Sequence, residues 1–149
     1  MSDLNRFLEA QKQSYDFGQT YQTALSEIKN GEKQTHWIWY VLPQIRGLGG
    51  DKITELFSLD SLEDAANYYK HPILGARLIE ICEELLKLNA ADSVSVLGSY
   101  IDAYKLRSCM TLFKYAAPND VTFQSVLDKY CLGAECDKTL TLLGITQKR

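Results

Sequence analysis

Residues 35–50 read THWIWYVLPQIRGLGG, and whether they form a helix or a strand decides the fold class. The stretch holds both tryptophans of the chain, one of its two histidines and one of its three prolines. Aromatic and β-branched residues suit strands. Elsewhere, however, no apolar–polar alternation runs for long, and one isolated strand has no partner. The stretch is therefore read as a short helix, with Thr35 as N-cap and Pro43 ending it. His36, Trp39 and Tyr40 then share one face, and Trp37 and Val41 another. RGLGG cannot continue a helix. Its glycines allow a positive φ or a close backbone approach.

Working outward, both flanks carry helix punctuation. Ser2 or Asp3 can cap a first helix bearing Leu4, Phe7 and Leu8, and DFGQT at 16–20 interrupts it. A second helix runs to Lys29, stopped by Asn30-Gly31. Asp51 is a cap for KITELFSL, and Ser61 with Asp64 has capping-box-like spacing. His71-Pro72 breaks that helix, and Pro72 suits the first position of the next. Over 72–88, Leu74, Leu78, Ile81, Cys82, Leu85 and Leu86 recur at helical steps. Ser93, Ser99 and Asp137 can cap further helices, and Gly133 stops the one over 122–131. The reading is all-α: one domain over 1–149, with about seven to nine short helices.

The net charge is −3 and the pI about 5.4, so no general electrostatic attraction to nucleic acid or anionic membrane is expected. The opening MSDLNRFLEA lacks a signal-peptide pattern. The longest apolar run, about seven residues, is far short of a membrane span. A cytoplasmic protein with reduced Cys82, Cys109, Cys131 and Cys136 is expected.

Two runs could carry chemistry. In the first, Arg46 on the glycine loop could fork onto a carboxylate or phosphate, and Gln44 adds a donor and an acceptor. In the second, DAYKLRSCMT, Asp102, Lys105, Ser108 and Cys109 share one helix side. Asp102 can pair with Lys105, and Ser108 or Thr111 adds a hydroxyl. Each run has a plainer reading: an aromatic core helix with a stop loop, and a surface ion pair on a packing face. GLGG completes no phosphate-binding fingerprint, so no cofactor is expected. Cys131 and Cys136 with two histidines in the chain make a poor zinc set, so no metal is expected. A cysteine nucleophile with His36 as base has no local activation behind it, and a His36–Asp102–Ser108 triad lacks the elbow motif. His71, and Arg77 in the same YYKHPILGARL run, gain no role from spacing.

RFLEAQ, GEKQTHWIWYVLPQIRGLGG, YYKHPILGARL, DAYKLRSCMTLF and GAECDKTLTLL together resemble the family called domain of unknown function 1810. Some of its members carry the label calpastatin. The likeness spans Leu4 to Leu143. It implies a small helical domain, packed as an armadillo-like array or irregular bundle, and no activity. Its matching positions are His36, Trp37, Trp39, Pro43, Gln44, Gly47, Gly49, Asp102, Lys105, Ser108, Thr111 and Phe113. Where the family run is expected to continue with a basic residue and serine, this chain has Gly50 and Asp51.

Three functions follow from these readings. The leading one is a domain binding a planar, anionic, nucleotide-like small molecule. Trp37, Trp39 and Tyr40 would stack on it, and His36, Gln44, Arg46 and Lys105 would hold its polar part. The glycines Gly47 and Gly49, with Ser108 and Thr111, would complete the site. The second is a hydrolase or transferase on a nucleotide- or ADP-ribose-like substrate, with His36 as acid–base and Asp102 as its carboxylate partner. The third is a protein-interaction module with an open groove and an unspecified partner.

Overall fold

The computed structural model describes residues 3–89 and 92–145. Among them the chain forms α1 (Asn5–Gln13), α2 (Tyr21–Lys29), α3 (Ile38–Val41), α4 (Lys52–Leu56) and α5 (Leu62–Lys70). It continues through α6 (Leu74–Lys87), α7 (Ser93–Leu97), α8 (Tyr100–Ala116), α9 (Thr122–Cys131) and α10 (Asp137–Leu143). The class is all-α. Ten helices are described against the expected seven to nine, and α3, α4 and α7 among them are short, of four or five residues.

Local chemistry sets most of the boundaries. The side chains of Thr20, Asp51, Ser61 and Ser99 accept the N–H groups of Thr23, Thr54, Asp64 and Asp102. Each satisfies a donor that the first helical turn leaves unpaired. Four starts differ from the sequence reading. Asp92, not Ser93, caps α7. Asp137 is the first residue of α10 rather than its cap. Asp3 accepts the Asn5 N–H, but the cap position of α1 is Leu4; Ser2 lies outside the described residues. α6 starts at Leu74 rather than Pro72, because His71 Nδ1 accepts the N–H groups of Ile73 and Leu74 at 3.1 and 3.2 Å.

The stretch 35–50 is helical only over Ile38–Val41. Leu42, ahead of Pro43, leaves the helix with φ −126° and ψ 72°, as a residue before proline must. The chain then runs extended beside Leu59. The Leu59 N–H donates to the Gln44 carbonyl at 2.9 Å, and the Arg46 N–H to the Leu59 carbonyl at 2.8 Å. One turn of helix and one bridge thus share a run that periodicity alone reads as a single element.

α5, α6, α9 and α8 pack in a closed circuit. α7 and α10 flank α8, α2 leans on α6, and α1 touches α2 and α3. An aromatic file crosses the molecule: Tyr40–Phe57–Phe7–Tyr68–Phe113–Phe123, with successive ring centroids 5.1 to 5.7 Å apart. Rings at these separations add contact energy beyond their buried area. The buried face of α8 supplies Leu106, Cys109, Met110, Leu112 and Phe113 to the same core. All four cysteines are free. No described helix is long and apolar enough to cross a membrane.

Gly75 lets α6 close on α5, since a Cβ there would fall onto the backbone carbonyl of Tyr69. Backbone cannot swing aside as a flexible side chain can. Gly75→Ala is expected to destabilise the protein by about 2 kcal/mol, read as a fall of several degrees in Tm by calorimetry.

Candidate functional site

The site begins with a carboxylate that sequence reading passed over. Glu27 Oε1 accepts hydrogen bonds from the N–H groups of Gln34 at 2.8 Å and Thr35 at 3.0 Å, and from Trp37 Nε1 at 2.9 Å. Its Oε2 takes the Thr35 hydroxyl at 2.5 Å. Burial pushes this carboxyl up, but the hydrogen bonds from Thr35, Trp37 and Gln34 outweigh it, and Glu27 titrates below its ordinary value. The Thr35 hydroxyl is thereby spent on Glu27, not on capping α3. Trp37 is fully buried beside it.

Lys33, on the same loop, lies nearly buried. Its Nζ reaches Asp102 Oδ2 at 2.8 Å and the Thr35 carbonyl at 2.6 Å, and it stands 5.2 Å from the centre of the Trp37 ring. Asp102 therefore takes Lys33 as its ion-pair partner, where its spacing had suggested Lys105. The pair ties the loop before α3 to the first turn of α8. Lys105, one turn on, sits 5.3 Å from the Trp39 ring centre. Burial pulls the Lys105 ammonium below the ordinary lysine value; Asp102 and Asp51 pull the other way, and Lys33 adds to the lowering.

Lys105 and the glycine loop meet at a cavity of about 380 Å³. Gln44, Leu48 and Gly49 line one side; Asp51 and Thr54 line the start of α4; Tyr100, Ile101 and Tyr104 join Lys105 from α8. Gln44 is 8% exposed. Its backbone carbonyl is bonded to Leu59, but among the described residues its side-chain amide has no hydrogen-bond partner. Tyr100 and Ile101 are 82% and 68% exposed, an unusual degree for such large apolar groups. Asp51 spends one oxygen on the Thr54 N–H at 2.8 Å, and this bond holds its carboxyl below the ordinary range.

The two sequence runs, over fifty residues apart, thus contribute to one cavity through Gln44, Gly49 and Lys105. The other expected residues lie elsewhere. Trp39 backs Lys105 without lining the cavity. Tyr40 is buried and gives its hydroxyl to the Gln19 carbonyl. His36 is exposed and packs against Phe17 and Trp39, with ring centroids 5.4 and 6.2 Å away. Arg46 forms an exposed ion pair with Asp60 at 2.5 Å. Ser108 is buried against Thr139, with the hydroxyls 2.9 Å apart. The Thr111 hydroxyl donates to the Arg107 carbonyl and accepts the Cys136 N–H. Both hydroxyls join α8 to the α10 segment.

The glycines answer to protein neighbours. Gly47 has φ +110°, in the left-handed region that favours glycine, and Leu142 lies over it. At Gly49 a Cβ would come 2.8 Å from the Thr54 methyl. Sequence reading missed Glu27, Lys33, Thr54 and the tyrosines of the cavity. The signal for the tyrosines was present: in SYIDAYKL, Tyr100 and Tyr104, and Ile101 and Lys105, each stand four apart on the turn that Ser99 caps.

Residues 1–143 match the family described as "Protein of unknown function (DUF1810)". The crystal structure of the conserved hypothetical protein Rv1873 from Mycobacterium tuberculosis is similar in fold, with a TM-score of 0.88. Its sequence is 35% identical, and the match covers 97% of this chain and 98% of that one. Comparison with curated proteins gives no match.

Because Glu27 titrates below its ordinary value of about 4.5, its stabilising effect is complete above that pH and is lost as pH falls through the lower folded value. Glu27→Gln turns two acceptor oxygens into one acceptor and one donor facing the same four donors. Partial exposure screens the loss to about 1–2 kcal/mol at pH 7. Chemical denaturation at pH 7 and pH 3 is expected to show wild type and variant converging in acid.

Proposed function

The chain belongs to the DUF1810 family, and on that premise we propose that it binds a small planar molecule bearing an anionic group, of mononucleotide size, in the cavity between the glycine loop and α8. One observation carries the reading: the Gln44 side-chain amide, without a partner among the described residues, opens onto the same cavity as Lys105. Its donor and acceptor are both reachable from the cavity, so a ligand offering a matching edge can engage the two together. Lys105 takes the anionic group. Tyr100 and Tyr104 are the surfaces on which a flat ring stacks, in place of the tryptophans. Asp51 takes a donor such as an exocyclic amine or a sugar hydroxyl. A volume near 380 Å³ lies at the lower end of small-molecule sites, which suits one ring with its substituents better than a dinucleotide.

A cavity of this size, half open to solvent, suits a small molecule better than a long peptide segment. The acid–base reading on His36 and Asp102 gains nothing from the geometry. Asp102 is engaged by Lys33, and His36 lies outside the cavity wall.

The test is a thermal-shift screen against nucleosides, nucleotides and sugar phosphates. A ligand at 100 times its Kd should add about 2.7 kcal/mol to stability. Lys105→Ala should weaken a hit about tenfold or more without unfolding the protein; Gln44→Leu should do so while filling a similar volume. Binding should also decline with rising pH sooner than an ordinary lysine would allow, because burial lowers the Lys105 pKa. A hit with full affinity in both variants would dismiss this site.

A further inference from the structure

We propose a second binding site, for a small organic phosphomonoester, in a cavity of about 390 Å³ between α1, the start of α2 and the first turn of α6. It is separate from the Lys105 cavity and does not depend on it. Arg77, Lys12, Gln11 and Thr20 give it a polar wall, and Leu8 and the 45%-exposed Ile73 an apolar one. Two of these residues come from HPILGAR, the run to which sequence reading gave no role.

Arg77 is half-buried and held in place. One of its N–H groups donates to Gln11 Oε1 at 3.0 Å, and its guanidinium carbon stands 5.0 Å over the Tyr21 ring. Gln11 is 2% exposed, and its amide nitrogen donates to the Tyr40 carbonyl at 2.7 Å and the Tyr68 hydroxyl at 3.2 Å. Those bonds fix which way Oε1 points, so the guanidinium is aimed by a buried, fully engaged residue. Upstream, His71 caps α6 and Gly75 seats it on α5. The run HPILGAR is thus a device that places Arg77.

What Arg77 lacks is a counterion. Among the described residues it forms no ion pair, whereas Lys33, Arg46, Lys87 and Lys114 each do. Glu80, one helical turn on, takes the hydroxyl of Tyr21 and is not part of the cavity wall. Among the described residues the wall therefore holds two cations and no carboxylate. A guanidinium fork with unused donors matches phosphate geometry, and Lys12 supplies a second charge. The nine-residue α2 starts at the same wall. Its Thr23 N–H is taken by the Thr20 hydroxyl, while those of Tyr21 and Gln22 have no acceptor among the described residues. They add to the positive potential. Leu8 and Ile73 receive the organic part of the ester.

The experiment is an NMR titration of the full-length, ¹⁵N-labelled protein with inorganic phosphate and with phenyl phosphate, ionic strength held constant with sodium chloride. Saturable shifts are expected at the Tyr21 and Gln22 amides and at Arg77 Nε–H, with phenyl phosphate binding more tightly. Arg77→Gln should weaken binding about tenfold or more. Lys12→Ala, at an exposed position, should weaken it several-fold with the rest of the spectrum unchanged, and decides the matter if Arg77→Gln fails to fold. Lys105→Ala, which removes the anion holder of the first cavity, should leave the saturable shifts at Tyr21, Gln22 and Arg77 as in wild type. The proposal is overturned by the absence of saturable shifts at Tyr21, Gln22 and Arg77 up to about 50 mM phosphate, by full affinity at these reporters in the Arg77 or Lys12 variant, or by their loss in the Lys105 variant.

Discussion

Glu27 accepts four hydrogen bonds within a few residues of chain, and the course of everything from Gln34 to Arg46 follows from them. With the Thr35 and Trp37 donors pinned to α2, the backbone reaches Trp37 at φ −163°, too extended to be helical. The turn α3 can only start after it. Pro43 then ends α3 almost at once, and the chain emerges beside Leu59 with Gln44 facing the cavity. Lys33 repeats the constraint from the other side by fastening the same loop to Asp102. A carboxylate on α2 and an ammonium on the following loop thus fix a segment with little regular structure of its own. Both are charged groups whose partners offset the cost of taking them out of water.

This explains how far the sequence could be read. Several helix starts were legible where a hydroxyl or carboxylate stands just before an apolar repeat, because the capping bond spans only two or three residues. Asp51, Ser61 and Ser99 are of that kind, and the apolar steps of α6 gave its buried face directly. The run 35–50 was not legible in the same way. What shapes it, Glu27 below and Leu59 alongside, lies outside the run, so its one turn of helix leaves no periodic trace.

The candidate site was half legible for the same reason. Lys105 and Gln44 stand out by chemistry, and the structure brings them to one cavity. Asp102 and Lys105 look like partners because they stand three apart on α8, yet a buried lysine sixty-nine positions upstream of Asp102 competes better. Trp37 looked like a ring-stacking wall, but a fully buried indole whose N–H is already engaged has no face to offer. The tyrosines that do face the cavity lie on the polar side of α8, where aromatic rings are easily read as surface. Arg77 gained no role from its spacing, because only folding reveals that it has no ion-pair partner among the described residues.

Leu142 over Gly47 has a consequence for the order in which the molecule is made. The glycine loop leaves the ribosome about a hundred residues ahead of the side chain that covers it. Until α10 emerges, the loop bounding the Lys105 cavity has its bridge to Leu59 but not its outer cover, while the circuit of α5, α6, α8 and α9 is already complete. A contact this distant in sequence closes a long loop, whose entropy must be met before the contact rewards it. The cavity is therefore a finishing step of folding, laid over a core that no longer needs it.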